Sequence, residues 1–199
     1  MPGRASRLLL ALAASTVLLG STSAVATAAV GLGDATALKR AAARQATVTA
    51  GCQETIGLDA PRVAQEQAML CLANETRTRY GLPTLTESQP LRQSAIGKGG
   101  DLISCNEFSH TACGREFSHW IRETGYTAAD CWHIGENLAW GVEEQGTVAA
   151  IFRAWMRSPT HRANILGDFG EIGIDLRVGP LGGLSGVHIW VQHFGSHCA

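Results

Sequence analysis

The chain has 199 residues, room for one domain of ordinary size and an appendage. It carries 16 Lys+Arg against 17 Asp+Glu, a net charge of −1, and 17% of its residues are charged. That balance excludes the basic face that nucleic-acid binding needs, and 45% hydrophobic content excludes a highly charged disordered chain.

Arg4 and Arg7 precede an apolar run from Leu8 to Leu19, and Ala26-Thr27-Ala28 fits a small-x-small cleavage site. This is the order of a secretory signal peptide, which assigns residues 1–28 to a leader and the mature protein to the extracellular side. Read as an anchor, the stretch from Leu8 to Val30 is weakened by Ser15, Thr16, Gly20, Ser21, Thr22 and Ser23. No other stretch is long and apolar enough to span a bilayer, so no transmembrane helix is expected in the mature chain. Six cysteines, none before Cys52, fit an oxidising compartment. Residues 29–58 are rich in Ala, Thr and Gly and read as a linker, which leaves residues 59–199 for the folded domain.

A first helix is predicted from Asp59-Ala60-Pro61, with Asp59 as N-cap, to Tyr80, where Gly81 and Pro83 stop it. A second follows Ser88, with Leu91, Ala95, Gly99, Leu102 and Ile103 on one face, although Gly97, Gly99 and Gly100 argue for a break. A third, shorter helix spans Arg115 to Glu123. Val148, Ile151, Phe152 and Trp155 define a fourth at helical spacing, and Ser158-Pro159 caps a further turn. The period then changes. Glu171 to Val178 alternates strictly, Gly179 to Gly183 turns the chain, and Val187 to Phe194 returns as a partner strand. Glu136 to Gly141 is the third strand. Antiparallel strands beside several helices make an α+β domain.

Common catalytic signatures are absent: there is no H-E-x-x-H, no G-x-S-x-G and no phosphate-binding glycine loop. What stands out is His110 in Phe108-Ser109-His110-Thr111, Glu136 in Gly135-Glu136-Asn137, and His161 after Ser158-Pro159-Thr160. Alone, each His reads as a hydrogen-bonded structural residue, and an acid after Gly at a strand start reads as a cap or a solvent-facing group. His188 and His193 have opposite parity in the last strand, so one should face the core and the other solvent. Asn74-Glu75-Thr76 is a glycosylation sequon, but it lies in a helix expected to be buried and should carry no glycan.

Five segments in order resemble a known family: "CLANETRTRYGLPTL", "FSHTACGREFSHWIRETGY", "GENLAWG", "AWMRSPTHRANILGDFGEIGIDL" and "WVQHFG". Together they resemble the CAP superfamily of cysteine-rich secretory, antigen 5 and pathogenesis-related proteins, in its bacterial SCP-like extracellular branch. The resemblance covers Met69 to Gly195 and implies an α-β-α sandwich, a small antiparallel sheet with helices on both sides. It also implies a cleft lined by two His and two acids. His110, Glu136 and His161 match three of them, and Ser158 stands near the place of the second acid. Glu171 is not that acid; its alternation puts it with Asp175 and Arg177 near solvent.

Two imidazoles and one carboxylate with water are a donor set for zinc, so His110, Glu136 and His161 are the candidate metal ligands and Zn the candidate cofactor. The same three could instead satisfy one another by hydrogen bonds. No nucleophile with a positioned base can be named, so catalysis is left open. The leading expectation is a secreted binding module for a lipid, peptide or cell-wall ligand held at His110, Glu136, Ser158 and His161. The alternative is a metal-assisted hydrolase in the same cleft. The favoured disulfides are Cys52–Cys71, pinning the linker; Cys105–Cys113, closing the His110 loop; and Cys131–Cys198, tying the segment before Glu136 to the C-terminus. A Cys105–Cys131 bridge would overturn that set.

Overall fold

A computed structural model describes Cys52 and residues 57–198. The leader assigned to residues 1–28, and the linker apart from Cys52, Gly57 and Leu58, lie outside the described residues. Five helices are described: α1 (Arg62–Arg79), α2 (Gln89–Ser104), α3 (His119–Glu123), α4 (Val148–Arg157) and α5 (Pro159–Ile165). The strands are β1 (Thr86–Glu87), β2 (Trp132–Gly141), β3 (Glu171–Leu181) and β4 (Leu184–His197), in the order β1-β3-β4-β2. Among the described residues, no helix is long and apolar enough to cross a membrane.

The sheet is covered on both faces. Ile172, Ile174, Leu176, Trp190 and Phe194 pack with Met69 and Leu72 of α1 and with the Val148-Ile151-Phe152-Trp155 stripe of α4. Each such side chain contributes roughly 1.5–3 kcal/mol on full burial. On the other face Val187, Ile189 and Val191 pack with Ala95 and Leu102 of α2. Alternation then explains both layers: even residues of β3 face one helical layer, odd residues the other. The α+β sandwich expected from the sequence is present.

Several local expectations change. The first helix starts at Arg62 rather than at an Asp59 cap, because Pro61 is itself extended (ψ 140°). The third is shorter at its N-terminus, beginning at His119. The second runs unbroken through its glycines. Gly97 leaves room for the Trp120 ring, and a Cβ on Gly99 would meet the Asp175 carboxylate. On the sheet side, a Cβ on Gly173 would collide with the backbone at Leu91 and Arg92, so this glycine sets how closely α2 lies on β3. That close cover is why Asp175 is buried rather than near solvent. Glu171 keeps a 37% exposed side chain and accepts a hydrogen bond from the Tyr126 hydroxyl (2.6 Å). The short β1 pairs parallel with β3, so the sheet is mixed. β3 and β4 meet at a two-residue turn, Gly182-Gly183, where φ values of 60° and 82° suit glycine.

The three disulfides are Cys52–Cys71, Cys105–Cys113 and Cys131–Cys198, the favoured set. Asn74, the sequon residue, is committed to the backbone: its amide donates to Leu85 O (3.0 Å) and its oxygen accepts from Leu85 N (2.7 Å). Arg77 is fully buried and donates to the carbonyls of Pro83, Ile165, Gly167 and Phe169 at 2.7–3.0 Å. One guanidinium therefore ties α1 to the chain leaving α5. Replacing Arg77 by Leu strands these acceptors, at about 1–3 kcal/mol for each one left without a partner. Urea unfolding of Arg77→Leu should show a loss of at least about 3 kcal/mol; a loss below about 1 kcal/mol would contradict the role given to this side chain.

Candidate functional site

Glu136 sits in the edge strand β2, directly opposite His193 of β4. The pairing is regular from Trp132 to Gly141, so Ile134, Glu136 and Leu138 share one face. The Glu136 carboxylate is buried and bridges two imidazoles. Oε1 lies 2.6 Å from His110 Nδ1, and Oε2 lies 2.8 Å from His193 Nε2. The other edge of His193 meets Ser94 Oγ of α2 at 2.6 Å, and that hydroxyl reaches Leu91 O at 2.8 Å. Ser94 and His193 are fully buried, whereas the His110 side chain is 57% exposed. The result is a hydrogen-bonded row, Ser94–His193–Glu136–His110, running from the core to solvent.

Burial pushes the Glu136 carboxyl up, but hydrogen bonds from His110 and His193, with the charges of His193 and Lys98, outweigh it and hold the group below its ordinary value. Lys98 is buried behind the His110 loop and donates to His110 O (2.7 Å). Burial lowers its own pKa, partly offset first by Glu136. The Cys105–Cys113 bridge closes this loop, and Asn106 and Cys113 take positive φ (50° and 59°) to make the tight path. His110 thus has one ring edge fixed to an ionised carboxylate and the other toward solvent. Such an imidazole can donate, accept or relay a proton at Nε2.

His161 enters from α5, on the other side of the edge strand. Ser158 occupies the N-cap position of α5, but its hydroxyl meets His161 Nδ1 (2.8 Å) rather than a backbone N–H. Ser158 therefore holds His161 where an acid was expected. Asn137 donates to His161 O (3.1 Å), and Asn164 donates to Glu136 O (3.1 Å) and Asn137 Oδ1 (2.9 Å). The structure joins His110 to Glu136 and His161 to Ser158 by hydrogen bonds; the two pairs share the β2 edge. His161 is held below its ordinary pKa by burial and then by the charge of His110.

Zinc fits this arrangement poorly. Among the described residues, the trio with donor atoms mutually within 4.8 Å is Cys52, Cys71 and Glu75, and its two sulfurs are bridged. Both Glu136 oxygens are already taken by ring nitrogens. An ion at His110, Glu136 and His161 would need these side chains rearranged.

Sequence reasoning did not single out His193, Ser94 or Lys98. Strand parity separates His193 from His188 and assigns one of them to solvent; both are buried, because helices cover both faces. The detectable signal is register: once the last strand is paired with β2, Glu136 and His193 become cross-strand neighbours.

A three-layer sandwich with a His/Glu cluster over its edge strand and three disulfides defines a cysteine-rich secretory, or CAP, domain. The model of the cysteine-rich secretory protein family matches residues 70–194, and the chain belongs to that family. It is 32% identical over 134 residues to the uncharacterized protein YkwD of Bacillus subtilis, covering 66% of this chain and 47% of the relative. The chain thus spans about half the length of that curated relative. Two solved structures share the fold. An extracellular SCP-domain protein of Bacillus anthracis is 24% identical with a TM-score of 0.55, over 67% of this chain and 40% of that one. An outer surface protein of Borrelia burgdorferi is 22% identical with a TM-score of 0.54, over 66% and 92%.

The His161 environment makes a direct expectation. Its imidazole should titrate below its ordinary 6.5, and His110→Ala should move the midpoint upward by removing the neighbouring positive charge. Side-chain NMR over pH 4–8 checks this, within about that range for histidines; a midpoint unmoved by the substitution would separate the two residues electrostatically.

Proposed function

We propose that the protein is a secreted binding module that takes an extracellular ligand in the cleft over β2. The observation that carries this reading is the half-exposed His110, its inner edge locked to buried, ionised Glu136. A fixed ring edge offers a directional hydrogen bond to a ligand without an ordering cost at the moment of binding. His161 and Ser158 supply polar groups from the other bank of the edge strand. Secretion is supported by the leader pattern, the three disulfides and relatives named as extracellular or outer-surface proteins.

The geometry supports binding over metal-assisted hydrolysis. The hydroxyl in the row belongs to Ser94, which is fully buried and out of reach of a substrate. The three proposed zinc ligands also fail to converge as they stand. Purified mature protein incubated with a peptide library should give no cleavage, with or without added zinc or calcium, and calorimetry should show no stoichiometric zinc site. Cleavage abolished by His110→Ala would instead establish the hydrolase reading.

A further inference from the structure

Among the described residues, the arginines that pair with acids are Arg62, Arg79, Arg92, Arg115, Arg122 and Arg177, and buried Arg77 donates to backbone carbonyls. Arg153, Arg157 and Arg162 are exposed and form no such pair. In a chain of net charge −1, three unpaired cations within ten residues are not a consequence of composition. Two of them line one cavity. Arg157 ends α4, the chain bends at Ser158, and Arg162 follows in α5; with Met156, Pro159, Ala163 and Leu166 they enclose a space of about 340 Å³. At about 100° per residue, Pro159, Arg162, Ala163 and Leu166 share one face of the helical turn, and His161, Asn164 and Ile165 the opposite one. The cavity is therefore separate from the cleft: α5 gives His161 to one and Arg162 to the other.

We propose that this cavity binds a phosphate monoester, with the phosphate between Arg157 and Arg162 and an apolar substituent against Met156 and Leu166. The Arg162 guanidinium is held in place without being neutralised. It donates to the Tyr80 hydroxyl (2.6 Å), and its central carbon lies 5.4 Å from the middle of the Tyr80 ring. A ring face and a hydroxyl orient the group and leave its charge for a ligand. Asp168, the acid nearest in sequence, acts on Arg77. Arg153, one turn before Arg157 on α4, adds to the same positive field without lining the cavity.

The chemistry of the lining selects among anions. One guanidinium already satisfies both oxygens of a carboxylate in a bidentate pair. Two guanidiniums from successive helices offer more donors than a carboxylate can accept. They suit a phosphate monoester, which has three acceptor oxygens and a charge of roughly −1.5 to −2. The apolar wall of Met156, Pro159, Ala163 and Leu166 favours an ester over the bare ion, because it gives a carbon substituent surface to cover.

The test titrates the purified protein with phenyl phosphate, inorganic phosphate and benzoate, followed by backbone amide NMR. Phenyl phosphate should shift amide signals between Met156 and Leu166 and leave those of the Cys105–Cys113 loop unmoved. It should bind at least about threefold tighter than inorganic phosphate, through the apolar wall, and than benzoate, through the second arginine. Arg157→Gln and Arg162→Gln should each weaken it about tenfold, the scale of one lost charge-assisted pair. Arg157 makes no side-chain hydrogen bond among the described residues, so Arg157→Gln keeps the test decisive if losing the Tyr80 contact destabilises Arg162→Gln. His110→Ala should leave phenyl phosphate binding unchanged; a loss there would put the ligand in the cleft and overturn the site. No binding of phenyl phosphate at millimolar concentration, binding indifferent to Arg157→Gln, or benzoate bound as tightly would also overturn it. Phosphatidylcholine vesicles containing phosphatidic acid distinguish the sources. Vesicle binding lost in Arg157→Gln, together with phenyl phosphate binding, assigns the phosphate to a lipid headgroup; phenyl phosphate binding without vesicle binding assigns it to a soluble ester. Vesicle binding alone would mean a diffuse cationic surface and no site.

Discussion

A carboxylate taken out of water at the edge of a sheet is costly unless something charged or protic meets each oxygen. Glu136 is that carboxylate, and the architecture of the cleft follows from how it is met. One oxygen is served by His110, on a loop closed by a disulfide and backed by the Lys98 ammonium. The other is served by His193, the cross-strand partner, which is itself held by Ser94 from α2. A single side chain thus couples the edge strand, the central strand, a helix and a surface loop. Remove its charge and the His110 ring loses the partner that orients it.

The rest of the fold keeps that edge in place and keeps it from pairing with another chain. An exposed edge strand invites a further strand. Here two outward carbonyls at the middle of β2, those of Leu138 and Glu136, accept from the Trp155 indole and the Asn164 amide, so α4 and α5 cover the centre of the edge. Those helices are fixed in turn. The apolar stripe of α4 is buried in the main core, and the loop after α5 is gripped through its carbonyls by Arg77. On the far side of the sheet Gly173 and Gly99 let α2 lie close enough for Ser94 to reach His193. The site is therefore assembled from both layers and depends on their spacing across the sheet.

Much of this was legible in residue order. The alternation of Glu171 to Val178 and the helical spacing of Val148, Ile151, Phe152 and Trp155 report burial on one side of an element, which local sequence encodes directly. His110, Glu136 and His161 stood out through motif order. The elements that were not legible depend on partners distant in sequence. Glycines at 97, 99 and 100 argue for a helix break until Trp120 and Asp175 are known to occupy the space that Gly97 and Gly99 leave. The parallel β1 is two residues long and carries no period to detect. His193 acquires its role only through strand register, and the burial of Asp175 only through the cover of α2.

The claim on which the account turns is that the two imidazoles overcome burial at Glu136. The most direct measurement is the pH titration of the Glu136 side-chain carboxyl carbon by NMR in the purified protein. The account predicts a midpoint below 4.5, because hydrogen bonds from His110 and His193 hold the ionised form. The stabilising contribution of the pair is then present above the ordinary carboxyl range and lost as the pH falls through that lowered midpoint. A midpoint above 4.5 would mean that burial prevails and that the carboxylate does not organise the cleft.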